Sequence, residues 1–256
     1  MSSNATSARA GALVVTGGGR GIGAATARLA ARRGYAVCVN YLRDEASAVR
    51  VVDDIAAGDG AAIAVQADVG RQEDMTRLFA EVDARLGRVT GLVNNAGTLD
   101  VQGRLEDIDE ERLLRILRTN VVGTFLASRE AVRRMSTRHG GRGGSIVNVS
   151  SVASRIGSPG EYLDYAASKG AVDTFTHGLA LEVAGEGIRV NAVRPGIIDT
   201  EIHARGGEPG RPARLAASLP LGRPGRADEV AEAILWLLSD AASYTTGTIV
   251  DVAGGR

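Results

Sequence analysis

A single cysteine, six prolines and an aromatic content of 4% leave this chain of 256 residues short of the materials several architectures need. One cysteine forms no internal disulfide, so a reducing compartment, the cytoplasm, is expected, with Cys38 packed as a small hydrophobe in the apolar run Tyr35–Val39. The longest unbroken apolar run is the six residues Ala233–Leu238. A membrane-spanning helix needs roughly 20. Met1–Ala10 is rich in serine and alanine and lacks the apolar stretch of a signal peptide, so it reads as a flexible tail. Neither sign of charge is in excess: 30 basic and 30 acidic residues cancel, which offers no basic face to nucleic acid or to an anionic membrane. His139, His177 and His203 share no ligand spacing, so no metal site is expected.

What the chain does have is glycine, 34 residues of 256, nearly double the roughly 7% usual share. No Gly-X-Y period accompanies it, so the glycines point to tight strand–helix junctions and to backbone pressed against a ligand. Seven strand-like runs stand out: Ala12–Val15, Tyr35–Asn40, Ala61–Gln66, Val89–Asn94, Ser145–Ser150, Ile188–Val193 and Thr248–Val252. Most are continuously apolar, as strands buried on both faces are. Helical patterns lie between them, near 21–33, 44–57, 71–86, 106–138, 162–185 and 227–239. This alternation predicts an α/β fold, a doubly wound parallel sheet of about seven strands with helices on both faces. No linker or internal repeat divides the chain, so residues 11–256 are expected to form one Rossmann-type domain. Glu201–Gly225, rich in proline, glycine and arginine, breaks the rhythm after a strand's carboxyl end and reads as a lid over a ligand crevice, with an inert surface excursion as the alternative.

The first strand runs through Thr16 into Gly17-Gly18-Gly19-Arg20-Gly21-Ile22-Gly23 and then a helix. Gly17 and Gly21 would bend the chain and let a ligand reach the backbone, while Gly23 would let the helix pack on the sheet. The helix start offers free N–H groups to a pyrophosphate. The spacing T-G-x-x-x-G-x-G resembles the glycine motif of the short-chain dehydrogenase/reductase family. Further motifs follow in that family's order: Asp68-Val69, Asn94-Asn95-Ala96-Gly97, Asn120, Ser150-Ser151, Tyr165-x-x-x-Lys169, Pro195-Gly196 and Thr200. The resemblance spans roughly residues 11–255.

Tyr165 and Lys169, four apart on a helix, share one face. A free phenol near pKa 10 is a poor acid or base at neutral pH, and an ammonium one turn away is expected to lower it. The resemblance implies that Tyr165 exchanges a proton with the substrate oxygen, Lys169 tunes it and binds the nicotinamide ribose, Ser151 holds the oxygen, and Asn120 anchors a water-linked relay. Ser151 precedes Tyr165 by one residue more than is usual there, which implies an insertion within Arg155–Asp164. Ser150 is the rival, on the opposite face of the strand. Tyr162 has Ala166, not lysine, four residues ahead.

The cofactor follows from the second strand's end, where an acidic residue signals a free 2′-hydroxyl and arginine a 2′-phosphate. Asn40 stands there, with Arg43 beyond it and Arg20 in the glycine turn, which favours NADP(H) over NAD(H) despite nearby Asp44 and Glu45. The cofactor-binding set comprises Gly17, Gly19, Arg20, Gly21, Ile22, Gly23, Asn40, Arg43, Asp68, Val69, Asn95, Ala96, Gly97, Tyr165, Lys169, Pro195, Gly196, Ile198 and Thr200. Within it, the resemblance assigns Asp68 and Val69 to the adenine, Asn95–Gly97 to its ribose, and Ile198 and Thr200 to the carboxamide. The expected activity is an oxidoreductase interconverting a small-molecule carbonyl and a secondary alcohol. A sugar or polyol and a 3-oxoacyl thioester are the substrate alternatives, and a catalytically silent dinucleotide sensor is the rival from another class. The resemblance also implies a homotetramer, or a homodimer.

Overall fold

A computed structural model describes residues 11–256; the tail expected at Met1–Ala10 lies outside the described residues. The chain order is β1 (Ala12–Val15), α1 (Gly21–Arg32), β2 (Ala36–Tyr41), α2 (Glu45–Ala57), β3 (Ala62–Gln66), α3 (Gln72–Arg85), β4 (Val89–Asn94), α4 (Glu110–Leu117), α5 (Gly123–Met135) and β5 (Gly144–Val149). It continues through α6 (Ala153–Ile156), α7 (Leu163–Val183), β6 (Ile188–Pro195), α8 (Ile202–Arg205), α9 (Arg211–Leu215), α10 (Ala227–Leu238) and β7 (Ile249–Val252). The seven strands form one parallel sheet in the order β3-β2-β1-β4-β5-β6-β7.

Strand alternation divides the core. Leu13 and Val15 of β1, with Val37 and Val39 of β2, face α1, α2 and α10. Ala12, Val14 and Cys38 face the opposite way, onto Met75 and Phe79 of α3, Ala131 of α5 and Val183 of α7. Both faces are therefore covered, which is why these strands read as unbroken apolar runs. Burial pushes the Cys38 thiol's pKa far up, so it packs as an inert hydrophobe. No helix among the described residues is long and apolar enough to cross a membrane.

Two expected elements differ. The helical stretch at 106–138 is not continuous: a 3-10 turn at Leu105–Asp107 precedes α4, a π-helical turn at Arg118–Val122 separates α4 from α5, and a 3-10 turn at Thr137–His139 follows. Asp109 causes the first break, capping α4 by accepting from Arg112 N at 2.7 Å. The segment 201–225 is not irregular throughout, since it holds α8 and α9; Pro212 falls in the first turn of α9, where a missing N–H costs no helix bond. Because β1 lies between β2 and β4, the chain leaves the β1 and β4 ends in opposite directions, and a crevice opens at their carboxyl edge.

Candidate active site

The glycine turn bends with left-handed backbone at Gly17 (φ 61°) and Gly21 (φ 50°), which glycine adopts without strain. Gly17, Gly19, Gly21, Arg20 and Ile22 line the larger of two abutting chambers at the crevice. Gly23 does not line it; a β-carbon there would stand 2.5 Å from Asn95 Nδ2 and 2.6 Å from the Gly17 carbonyl. Its function is close packing. Asn95 Nδ2 donates to the carbonyls of Thr16 (2.9 Å) and Gly17 (3.0 Å), and the Thr16 hydroxyl accepts from the amides of Asn95 and Ala96, both at 3.0 Å. The turn and the β4 end are thus one hydrogen-bonded unit. Helix α1 begins with no side-chain cap and no acidic residue in its first turn, so its N–H groups are left for a ligand. A bare glycine backbone beside uncapped amides fits the pyrophosphate of a dinucleotide.

The same chamber is also lined by Asp68, Val69, Ala96 and Gly97, and by Asn40, Arg43 and Asp44. Asp68 Oδ1 accepts from Gly70 N at 2.9 Å. Asn40 differs from the sequence expectation, which treats it as a neutral stand-in for a ribose-binding aspartate. Its side chain is buried and committed to backbone: Oδ1 accepts from Gly17 N at 3.1 Å, and Nδ2 donates to the carbonyls of Ala67 (3.0 Å), Val65 (3.3 Å) and Tyr41 (3.3 Å). It ties the glycine turn to β3. Arg20 stands 3.7 Å from Asp44, whose carboxyl is held below its usual pKa chiefly by hydrogen bonds from Ser47 and further by Arg20. Arg205 of α8, within the segment that the sequence offers as a lid, also lines this chamber.

The second chamber meets the first at Ile22, Asn95, Gly97, Thr200 and Ile202. Ser151, Tyr165 and Lys169 line it, together with Pro195, Gly196 and Ile198. Gly196 is required by proximity, since a β-carbon there would lie 2.8 Å from Ala253 Cα. Ser151 faces the Tyr165 hydroxyl and accepts from Ala153 N at 3.1 Å, whereas Ser150 Oγ turns back to donate to the Lys169 carbonyl at 3.3 Å. The extra residue of the intervening loop does not disturb this pairing; the loop is strongly bent, with left-handed backbone at Gly157, Ser158 and Gly160. Lys169 Nζ donates to Val149 O at 2.7 Å and lies 5.7 Å from the Tyr165 ring centre. Asn120 lines neither chamber. It sits in the π-helical turn, where Oδ1 accepts from Thr98 N (2.8 Å) and Nδ2 donates to Thr98 O and Ser168 Oγ, both at 2.9 Å. A β-carbon on Gly97 would stand 3.5 Å from Lys169 Nζ and 3.7 Å from Asn120 Oδ1, so the glycine keeps open a gap between them.

The expected acidic phenol is corrected. Burial raises the Tyr165 hydroxyl to about 12, with the Ser151 hydrogen bond opposing. Burial also lowers Lys169 to about 8, with Asp173 opposing. Both charged forms lose hydration in the chamber, and the ammonium spends a donor on Val149 while standing 5.7 Å from the ring centre. The phenol is therefore held protonated.

Tyr162, His203 and Arg211 also wall the second chamber. His203 Nε2 lies 2.8 Å from Ile198 O, and burial lowers its pKa. Arg211 pairs with Glu161 at 2.5 Å and stacks over Tyr162 at 5.2 Å. Among the described residues, no cluster of three or more His, Cys, Asp or Glu is arranged to hold a metal ion.

Comparison with known proteins follows the same lines. Residues 17–256 match the family model described as enoyl-(acyl carrier protein) reductase. An uncharacterized oxidoreductase of Escherichia coli (strain K12) is 56% identical over 243 residues, covering 95% of this chain and 98% of that one. Among solved structures, a short-chain type dehydrogenase/reductase from Mycobacterium marinum superposes with a TM-score of 0.90 at 33% identity, over 96% of this chain and 95% of that chain. A 3-ketoacyl-(acyl-carrier-protein) reductase from Brucella melitensis, solved with NADH, gives 0.89 at 33% identity, over 97% and 98%.

Proposed function

The chain belongs to the short-chain dehydrogenase/reductase family, and from that premise we propose that it is an NADP(H)-dependent oxidoreductase that interconverts a carbonyl and a secondary alcohol through Tyr165. The observation that carries this reading is the convergence of Ser151, Tyr165 and Lys169 in the chamber that abuts the glycine turn. The nicotinamide, when bound, supplies or accepts the hydride. Gly17, Gly19, Gly21 and Ile22 hold the pyrophosphate at the start of α1; Asp68, Val69, Asn95, Ala96 and Gly97 hold the adenosine; Arg20 and Arg43 meet the 2′-phosphate. Pro195, Gly196, Ile198 and Thr200 lie against the nicotinamide end.

In the direction of reduction, Ser151 Oγ donates to the carbonyl oxygen and the protonated Tyr165 Oη delivers its proton there as charge develops. Lys169 has donors to spare after its bond to Val149, and it orients the ribose and steadies the phenolate left behind. Asn120 and Lys169 flank the gap at Gly97, which suits a water that returns the proton. The walls at Leu99, Val152, Ile156, Ile197 and Ile202 are apolar, which favours hydrocarbon beside the reacting carbon. A 3-oxoacyl thioester therefore suits this chamber better than a sugar or polyol. The segment 201–225 acts as the lid, since Ile202, His203 and Arg211 close one wall. Exposed Leu113, Leu114, Phe125, Leu163 and Leu181 on α4, α5 and α7 support assembly into a homotetramer or homodimer.

The test is consumption of NADPH against a panel of 3-oxoacyl thioesters, ketones and sugars. Tyr165→Phe should lower turnover by about 100-fold or more, the usual scale of acid–base catalysis, while leaving NADPH binding intact. Cofactor binding with no turnover on any substrate would instead identify a dinucleotide sensor.

A further inference from the structure

We propose that Arg205, on α8, is a specificity-determining residue that grips the 2′-phosphate together with Arg20 and Arg43, and so couples the identity of the cofactor to the wall of the substrate chamber. The inference rests on the NADP(H) reading above and adds to it a residue from the segment that follows β6.

Arg20 in the glycine turn, Arg43 between β2 and α2, and Arg205 on α8 lie far apart in the chain yet line one chamber. The start of the 201–225 segment is pressed onto the glycine turn: a β-carbon on Gly21 would stand 3.2 Å from Thr200 Cγ2 and 3.8 Å from Glu201 Oε2. Arg205 follows Glu201 by one helical turn and so returns to the same side. Among the described residues neither Arg43 nor Arg205 makes a salt bridge or a side-chain hydrogen bond, whereas Arg20 shares Asp44 at 3.7 Å. Asp44 is itself engaged by the amide and hydroxyl of Ser47, at 3.1 and 2.8 Å. Partial desolvation lowers the proton affinity of Arg205, and the cations Arg20 and Arg43 lower it further, with Asp44 giving partial relief. Like charges gathered at the mouth of a dinucleotide chamber repel one another until a multivalent anion joins them. A phosphate monoester, with three terminal oxygens, matches the guanidinium fork better than any neutral group.

The other end of α8 reaches the substrate. Ile202 lines both chambers and His203 lines the second. The residue after Arg205 is locked: a β-carbon on Gly206 would stand 2.6 Å from Tyr162 Oη and 3.0 Å from Leu99 Cδ1, and Tyr162 Oη donates to Gly206 O at 3.3 Å. Anchoring Arg205 therefore fixes the side chains that contact the carbonyl compound. Such coupling is reciprocal: bound substrate must tighten NADPH by the factor that NADPH tightens substrate.

The experiment is titration calorimetry of the full chain and of its Arg205→Ala and Arg205→Lys variants with NADPH, NADH, 2′,5′-ADP and 5′-AMP. Arg205 is exposed, so removing it leaves the fold intact, and matching thermal melts of the variants check this. The wild type should prefer NADPH to NADH and 2′,5′-ADP to 5′-AMP. Arg205→Ala should weaken both phosphorylated ligands by roughly 10- to 100-fold, leave NADH and 5′-AMP within about twofold, and raise the KM of the carbonyl substrate with NADPH. Arg205→Lys should fall between the two. If the wild type prefers NADPH and Arg205→Ala keeps that preference in full, this inference fails while the NADP(H) reading stands. If the wild type shows no preference for NADPH, the NADP(H) reading itself fails and this inference falls with it.

Discussion

Replacing Arg112 should show how the scaffold holds the reacting tyrosine. Arg112 of α4 and Asp164 of α7 are 7% and 4% exposed, and Arg112 Nε donates to Asp164 Oδ2 at 2.7 Å while Nη2 reaches Oδ1 at 3.3 Å. Asp164 Oδ1 also accepts from the backbone N–H of Tyr165 at 2.8 Å, so the ion pair is bonded directly to the start of the reactive helical turn. Arg112→Leu leaves the carboxylate buried without its cation. Breaking one side of such a pair costs about 3–5 kcal/mol, which for a chain of this size lowers the melting temperature by roughly 6–20 °C. Arg112→Leu with Asp164→Leu removes both charges and should regain much of that loss, less about 1 kcal/mol for the helix-start hydrogen bond to Tyr165. Circular-dichroism melts of the two single variants and the double variant measure the coupling. Below its melting temperature Arg112→Leu should also lose turnover, since misplacing a catalytic group by about 1 Å costs about 100-fold, while NADPH affinity stays near that of the wild type. A melting temperature within 2 °C of wild type together with unchanged kcat would refute the reasoning.

Gly23→Ala should abolish dinucleotide binding and destabilise the fold by about 1–3 kcal/mol, because its methyl group meets Asn95 Nδ2 and the Gly17 carbonyl; fluorescence titration with NADPH and a thermal melt check both parts. Asn40→Asp should not convert the protein to NADH. The new carboxylate would face the three carbonyls that Nδ2 now satisfies, so loss of stability of at least about 1–3 kcal/mol is expected in place of a clean cofactor switch. Lys169 governs a pH window: folding lowers its pKa from 10.5 to about 8, so the unfolded chain holds more protons between those values and this contribution to stability rises with pH across them. Below about pH 8 the full cost of burying the ammonium is present, so Lys169→Met should gain most in relative stability there and lose the advantage towards pH 10.5, as urea titrations at several pH values would show.

The fold and the outline of the site were legible because local chemistry carries them. The unbroken apolar strands report burial on both faces, and each matches the structure to within one or two residues at its ends. The turn at Gly17 and Gly21 requires left-handed backbone, and the spacing of Tyr165 and Lys169 is a property of one helix. The break at Arg118–Val122 was not legible, since the helical pattern runs through it while the side chain of Asn120 is bonded to Thr98 and Ser168.

What a residue does once inside depended on neighbours remote in the chain. Asn40 became a strut because Gly17 and Ala67, on either side of it in sequence, converge on its amide. Ser151 rather than Ser150 meets Tyr165, Arg112 finds Asp164 across 52 positions, and Arg205 comes round to Arg43. The phenol's proton affinity moved the same way: spacing alone sets an ammonium near it, but the depth of the chamber, which no single segment encodes, makes lost hydration the larger effect. Backbone periodicity and turn conformation are local and survive as pattern in the sequence; charge, solvation and side-chain partnership are sums over everything that folding brings close, and only the assembled fold supplies them.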